Sequence, residues 1–543
     1  MKLFNESTRT NTLHQSPAPA RLILSPLKRL DGWILQSPAR AGFLLAIFIL
    51  TYFVLWCGVS FVRHYYFHSK FDLATQDQVV WNSAQGRLFS RSLEVTNDLG
   101  DHVRLFLAPI SLIYLVIPSP YVLLGFQSLV LALSAWPLYR LARRKFDSPA
   151  ISLVVTFCAL AYPPLGFLNR DDFHIEVIAI PLLIAAYERI DVGDLKSASL
   201  FMGLALLGKE HIGLTVAALG LLAAFYQKHQ RFGLAWTVGG LAYSSIALFV
   251  IIPAFRGAPS DTLARYQWLG DAPLQMLWTV LTQPSLVLHK IASAGHFLTL
   301  LQLLAPLAFL PLLSLPALLP AVPALIYNFL SQLPSQSSIY NHYIAPVIPF
   351  MVVAGVLGLH RLSTSSWKDR LLRLIPSGWL RSDQATGLGA SILLVVTLAS
   401  WACYAILIWS SVFSLPRTVA TASRAPIIRP NDAAIREGLK HVPNDVYLVT
   451  TDSYATHLSH RFRIGMIQRG SVSALDPEAE AIFLNLKDQR WWSCDDYVES
   501  LKAAAALGFG LVFYRDGVLL AQKDKGDLSK FKDLLNNNWP GCK

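Results

Sequence analysis

Charged residues are scarce in this chain: Asp, Glu, Lys and Arg make up 15% of its 543 residues, against 53% hydrophobic ones. A soluble domain carries about a quarter charged residues, so the composition excludes a purely water-soluble protein and points to a bilayer. Several catalytic signatures are missing as well. There is no G-x-x-x-x-G-K-[ST] phosphate loop, no G-x-S-x-G nucleophile turn, no H-E-x-x-H zinc pair and no paired C-x-x-C, which argues against ATP-driven transport and zinc proteolysis. Cysteine is sparse at five residues. Cys57, Cys158 and Cys403 lie in apolar runs and read as small hydrophobes. Cys494 and Cys542 lie in a polar C-terminal region, where an oxidising compartment would permit a disulfide between them. The net charge of +12 does not imply nucleic acid, because the Lys and Arg residues cluster beside apolar runs, as the positive-inside rule expects.

What the chain does contain is a series of apolar runs near the roughly 20 residues that cross a hydrocarbon core as helix. The clearest is Ala41–Val62. Its length, the tail before it and the lack of a small-residue cleavage site mark it as an uncleaved first span. Further runs at Tyr121–Tyr139, Ala150–Leu168, Ile175–Tyr187, Ala198–Leu207, Ile212–Tyr226, Leu234–Phe255, Phe297–Leu313, Ala317–Leu330, Tyr343–Leu359 and Gly387–Trp409 bring the expectation to about eleven spans, some of them half-helices. The basic clusters Arg140–Lys145, Lys228–Arg231 and Lys368–Arg373 fall on one side together with a cytoplasmic tail, residues 1–40, that holds Arg21, Lys28, Arg29 and Arg40. That assignment makes 41–411 a membrane domain whose first outer loop, 63–119, includes an interfacial helix at 105–117. Pro416, Pro426 and Pro430 mark a linker over 412–430, and 431–543 is polar enough to fold as a small α/β domain outside the membrane.

Acid concentrates in the outer loops, where carboxylates near lipid serve chemistry or ion binding more readily than packing. Asp72 and Asp77 follow the first span, with Asp72 preceded by Phe71. Either can act as a general base or cation ligand, or simply as a solvated acid or helix cap. In Gly100-Asp101-His102, Asp101 offers a helix cap and His102 a ligand for a metal or an anionic headgroup. In Asn169-Arg170-Asp171-Asp172-Phe173-His174, two carboxylates and an imidazole suit Mg²⁺ or Mn²⁺, unless Arg170 merely pairs with a neighbouring acid. Lys209-Glu210 interrupts an apolar stretch. The lysine can meet a lipid phosphate or pair with its neighbour. His342-Tyr343 brings a donor and an aromatic face suited to phosphate or sugar.

The order of these elements resembles the GT-C membrane glycosyltransferases: an inside tail, one span, a long acidic outer loop with Phe71-Asp72 near its start, and further acids at Asp171-Asp172. More closely, Phe71-Asp72 through Asp77-Gln78 to Trp81, Gly100-Asp101-His102, Asp172-Phe173-His174, Lys209-Glu210, His342-Tyr343 and His457-Leu458-Ser459-His460-Arg461 resemble a family of predicted prokaryotic multi-pass membrane proteins of unknown function, distantly related to GT-C enzymes. One departure is that Leu73 follows Asp72, where many polyprenol-dependent members have Asp-Glu.

The resemblance implies a GT-C-like helical fold in the prokaryotic plasma membrane. It also implies transfer of a sugar from a polyprenyl-phosphate carrier to an acceptor on the outer face. In that scheme Asp72 and Asp77 are catalytic, Asp171, Asp172 and His174 hold the metal, and Lys209, His342 and Tyr343 bind the donor phosphate. Asp101, His102, Glu210, His457 and Arg461 shape the acceptor side or the structure around it. A transporter or flippase of an anionic lipid-linked substrate is the alternative, since broken helices around Lys209-Glu210 suit one. A glycan-binding scaffold is the third reading, and eleven spans are excessive for an anchor.

Overall fold

A computed structural model describes residues 18–364, 385–413, 428–467, 475–488 and 494–536. Five helices are long and apolar enough to cross a membrane: Ala39–Tyr65, Pro120–Lys145, Gln230–Arg256, Leu310–Leu330 and Thr386–Tyr404. Two bent pairs raise the number to seven, Pro149–Leu160 with Pro163–Asp171 at 41° and Pro284–Ile291 with Ala294–Leu307 at 56°. The expected number of about eleven spans, some of them half-helices, is therefore not reached by helices of crossing length among the described residues. Leu195–Leu206, Ile212–Tyr226 and Ile348–Thr364 are shorter apolar helices. Hydropathy reads each half of a broken helix as a crossing, whereas prolines such as Pro163 and Pro164 end one segment and start the next at a new angle. The lipid-facing character is plainest in Gln230–Arg256, where only 17% of the apolar window is buried.

Ion pairs bring the basic helix ends together at one end of the bundle. Arg140 and Arg144 hold Glu188, and Lys145 holds Asp191 at 2.9 Å. Asp31 accepts from Ser148 Oγ at 2.6 Å and from the Ala150 N–H at 2.7 Å, and Arg361 donates to the Tyr226 hydroxyl. The third basic cluster, Lys368–Arg373, lies outside the described residues.

The loop from the first span to Pro120 folds at the other end. It contains the helix Phe71–Ala84, closed by Gly86 in the left-handed region at φ +83°, where glycine costs least. It also contains the short helix Leu107–Tyr114, inside the stretch expected to be interfacial. That helix buries Leu107 and Ile110 while Leu112 and, just beyond it, Val116 stay exposed, a pattern suited to a lipid headgroup boundary.

The C-terminal region forms a five-stranded sheet of order β2-β1-β3-β5-β4, from β1 (Leu448–Thr450), β2 (Ile464–Met466), β3 (Ala481–Asn485), β4 (Phe509–Arg515) and β5 (Val518–Lys523). β2-β1-β3 run parallel, and β3-β5-β4 are antiparallel. Asp516 and Gly517, both at positive φ, make the two-residue turn between β4 and β5, which favours Asp-Gly. Strand alternation builds two layers. Ile482, Leu484, Leu519 and Ala521 pack with Tyr497, Leu501 and Phe531 on one face. Ala481, Phe483, Val518 and Leu520 pack on the other with Ile435, Tyr454 and Leu458, and this second core continues into Phe67, Ala74 and Leu93 of the loop after the first span. The expected Cys494–Cys542 bridge lies outside the described residues, as does most of the linker 412–430.

A polar seam completes this junction. Asp77, fully buried, accepts from Tyr114 Oη and from Ser459 Oγ, each at 2.5 Å, and lies 3.0 Å from His460 Nε2. Gln78 Nε2 donates to the Arg461 carbonyl at 3.1 Å, and Arg429 donates to the Phe67 carbonyl at 2.9 Å. Asp77→Ala strands the buried Tyr114 hydroxyl and leaves Ser459 Oγ only its 3.4 Å bond to the Thr456 carbonyl, so the folded state is expected to lose about 1–3 kcal/mol. Limited proteolysis in detergent should then release the C-terminal domain faster than in the parent chain, and equal cleavage rates would exclude a docking role for Asp77.

Candidate functional site

The segment Asp171–Ile175, between the bent helix pair and Ala179–Asp191, is strapped from both sides by glutamines. Gln127 Nε2, from the Pro120–Leu133 helix, donates to the carbonyls of Asn169 (3.1 Å) and Asp172 (2.6 Å), and its Oε1 accepts the His174 N–H. Gln76, one turn along the Phe71–Ala84 helix from Asp72, does the same to Phe173 and Ile175. These two buried amides set the segment against the helix that carries Asp72. The isolated glutamine in an otherwise apolar span was the only sequence signal that could have found Gln127.

Asp172 Oδ2 accepts from the N–H groups of Lys70 (3.0 Å) and Leu73 (3.1 Å). It thus caps the Phe71–Ala84 helix from another part of the chain, where no side chain of the helix's own N-terminus does so. Asp171 turns the other way. Its Oδ1 accepts from Lys70 Nζ at 2.7 Å and its Oδ2 from the His342 N–H at 3.2 Å, while His174 Nε2 and His342 Nδ1 each lie 3.5 Å from Oδ2.

The rings of His174 and His342 stack with centroids 3.7 Å apart, and Tyr343 packs on His342 at 4.0 Å. One carboxylate oxygen of Asp72 and one nitrogen from each of these imidazoles lie within 4.8 Å of one another. His174 Nε2, His342 Nδ1 and Glu176 Oε2 are buried with no hydrogen-bond partner among the described residues. Two imidazoles and a carboxylate with unspent donor atoms fit a divalent transition ion better than Mg²⁺, which prefers oxygen. The expected set Asp171, Asp172 and His174 is not the one brought together: Asp171 lies against the histidines, Asp172 caps a helix, and His342 joins from a distant loop.

Burial works against ionising Asp72, but His174 and His342 outweigh it and hold its carboxyl below the usual carboxylate range. Asp72 therefore presents an anion at neutral pH. It is partly exposed, and no described residue hydrogen-bonds its carboxylate. Asp172 goes the opposite way: burial, reinforced by the charge of Asp72, pushes it to about 7.

The Lys209-Glu210 break adjoins this cluster. Lys209 Nζ lies 3.4 Å from Glu176 Oε1, and Glu210 binds His102 Nδ1 at 2.9 Å and the Val103 N–H at 3.0 Å. Asp101 accepts from Arg91 at 2.8 Å, within a network that includes Asp98 and Arg104. The remaining expected residues lie in the domain seam, apart from Asp72. Asp77 is described above, His457 stacks on His64 at 4.1 Å, and Arg461 donates to the carbonyls of Leu458 and Pro443.

A multi-pass membrane chain with its polar cluster at one bundle end and a small α/β domain seated above is the class these features define. Residues 63–520 match the family described as "Predicted membrane protein (DUF2079)", and the chain belongs to that family. No curated protein matches it. Among solved structures it is similar to ArnT from Cupriavidus metallidurans bound to undecaprenyl phosphate, with a TM-score of 0.49, 13% identity and coverage of 88% of this chain and 97% of that one. The apo form of the same ArnT gives a TM-score of 0.44 at 14% identity, covering 86% and 97%. The Archaeoglobus fulgidus oligosaccharyltransferase, in complex with Zn and sulfate, gives 0.37 at 13% identity, covering 84% and 69%.

Two expectations follow. Between the unfolded carboxyl value near 4 and about 7, folded Asp172 stays protonated while the unfolded chain ionises, so its contribution to stability falls as pH rises through that window. Asp172→Asn keeps a capping oxygen without the charge, so its melting temperature should gain on the parent from pH 4 to 7 and stay ahead above 7. A constant difference across that range would refute this. Separately, Mn²⁺ or Zn²⁺ added to chelator-treated protein should raise the melting temperature, with Mg²⁺ much weaker. His174→Ala or His342→Ala should abolish the rise.

Proposed function

We propose that this chain is a membrane glycosyltransferase that moves a sugar from a polyprenyl-phosphate donor to an acceptor on the outer face of the prokaryotic plasma membrane. The observation that carries the reading is the free, ionised carboxylate of Asp72 facing His174 and His342, next to the Lys209-Glu210 break and at the bundle end opposite the basic helix termini. A transporter would favour charge at mid-bundle, and the end-on location of this cluster supports transfer chemistry instead.

In this reading the N-terminus is cytoplasmic and the C-terminal domain lies outside. Asp72 accepts a hydrogen bond from the acceptor's nucleophilic group and takes its proton as the bond to the anomeric carbon forms. The bond from that carbon to the phosphate oxygen breaks, and the electron pair leaves with the lipid phosphate. A carboxylate of depressed proton affinity is a weak base, which suffices where bond breaking runs ahead of proton transfer. Asp171 lies against both imidazoles, and Lys70 balances its charge. A divalent ion held by Asp72, His174 and His342 would supply positive charge opposite the departing phosphate.

Asp72→Asn should lower transfer by about 10²–10⁴-fold while leaving the melting temperature near that of the parent. Mass spectrometry of lipid copurified with the chain should show a polyprenyl-phosphate sugar. Full turnover by the Asn variant would remove the proposal.

A further inference from the structure

The first described helix, Ala18–Leu35, takes no part in the Asp72 cluster and lies at the basic end of the bundle. Two joints set its level there. Its C-terminal end passes through a turn at Gln36-Ser37, closed by the Ser37 N–H to the Ile34 carbonyl at 3.0 Å, into the first crossing helix at Ala39. From its side, Asp31 accepts from Ser148 Oγ and the Ala150 N–H, where the bent helix pair begins at Pro149. Both joints are places where a crossing segment starts. A helix of 18 residues, about 27 Å long and tied at two such points, lies along the boundary between hydrocarbon and water.

The same joints fix how the helix is rotated. Leu27, Leu30 and Ile34, spaced at i, i+3 and i+7, pack into the bundle core. Lys28 and Arg29 are left exposed on the outward side, and no described carboxylate pairs with either. Asp31 belongs to the docked side, with its charge against the N-terminus of the Pro149–Leu160 helix, whose dipole offsets it. Asp147, the other acid at this joint, is exposed beside Arg143, whose guanidinium donates to the Asp147 carbonyl at 3.1 Å. The positive charge of Lys28 and Arg29 is therefore not cancelled from within the chain.

Apolar surface accompanies these cations. Trp33 and Leu35 stay 42% and 68% exposed just before the first crossing helix, and the Arg40 guanidinium stacks over the Trp33 ring at 4.7 Å. Cations without a counter-charge beside an exposed indole and leucine suit the headgroup layer of a bilayer, which offers phosphate to the first and acyl carbon to the second.

We infer that Ala18–Leu35 is a docking surface for anionic phospholipid, in which Lys28 and Arg29 take headgroup phosphates while Trp33 and Leu35 enter the acyl boundary. This surface lies at the end of the bundle away from the proposed transfer site and holds whether or not the chain transfers sugar.

The test titrates full-length protein in detergent with phosphatidylglycerol and, in parallel, phosphatidylcholine, and follows bound lipid by native mass spectrometry. Phosphatidylglycerol should bind more tightly, and high salt should narrow the gap. Lys28→Gln together with Arg29→Gln should weaken phosphatidylglycerol about tenfold and leave phosphatidylcholine unchanged. The exchange Lys28→Arg with Arg29→Lys keeps both charges and should bind as the parent does. Trp33→Ala removes apolar contact and no charge, so it should weaken both lipids alike. Full phosphatidylglycerol affinity in the double glutamine variant, or equal affinity of the parent for the two lipids, overturns the inference. Equal loss of both lipids in that variant also overturns it, because charge would then not be what the surface reads.

Discussion

The bond from Asp172 to the first backbone N–H groups of the Phe71–Ala84 helix is the constraint on which the site depends. A helix start buried at a membrane boundary has donors that neither lipid nor water satisfies, and this one is met by a carboxylate about a hundred residues away. That bond fixes where the helix begins. Asp72 in its first turn therefore faces the histidines. Gln76 and Gln127 add lateral register to the same joint.

The helix is also held from above. Its second turn gives Asp77 and Gln78 to the C-terminal domain, and Ala74 enters that domain's core. One short helix thus links three bodies: the bundle through Asp172, the C-terminal sheet through Asp77, and the polar cluster through Asp72. The two aspartates five positions apart do different work because a helix turns them to different neighbours. Asp77 meets hydroxyls and an imidazole in a dry seam, whereas Asp72 meets two imidazoles and keeps part of its surface open.

Much of the site was legible as a list of residues, less so as an arrangement. Asp72, Asp171, His174, Lys209, His342 and Tyr343 stand out because polar groups beside apolar runs are costly and so invite explanation. Their partners do not stand out. Nothing in the one-dimensional pattern distinguishes Asp171, which orients two rings, from Asp172, which caps a helix, since both are acids in one loop. Gln76 and Gln127 are ordinary polar residues in sequence and acquire meaning only from what lies across from them. The span count failed for a related reason. Apolar stretches advertise burial, and proline-broken halves are as apolar as whole crossings.

By itself the sequence determined that this chain lives in a bilayer, that basic residues flank its apolar runs, that acid gathers in loops between them and that a polar α/β segment follows the membrane part, because composition and periodicity record the solvent each stretch meets. Only the tertiary structure decided which carboxylate stays free and which histidines meet it. Those are properties of distances between residues tens to hundreds of positions apart, and hydropathy carries no information about them.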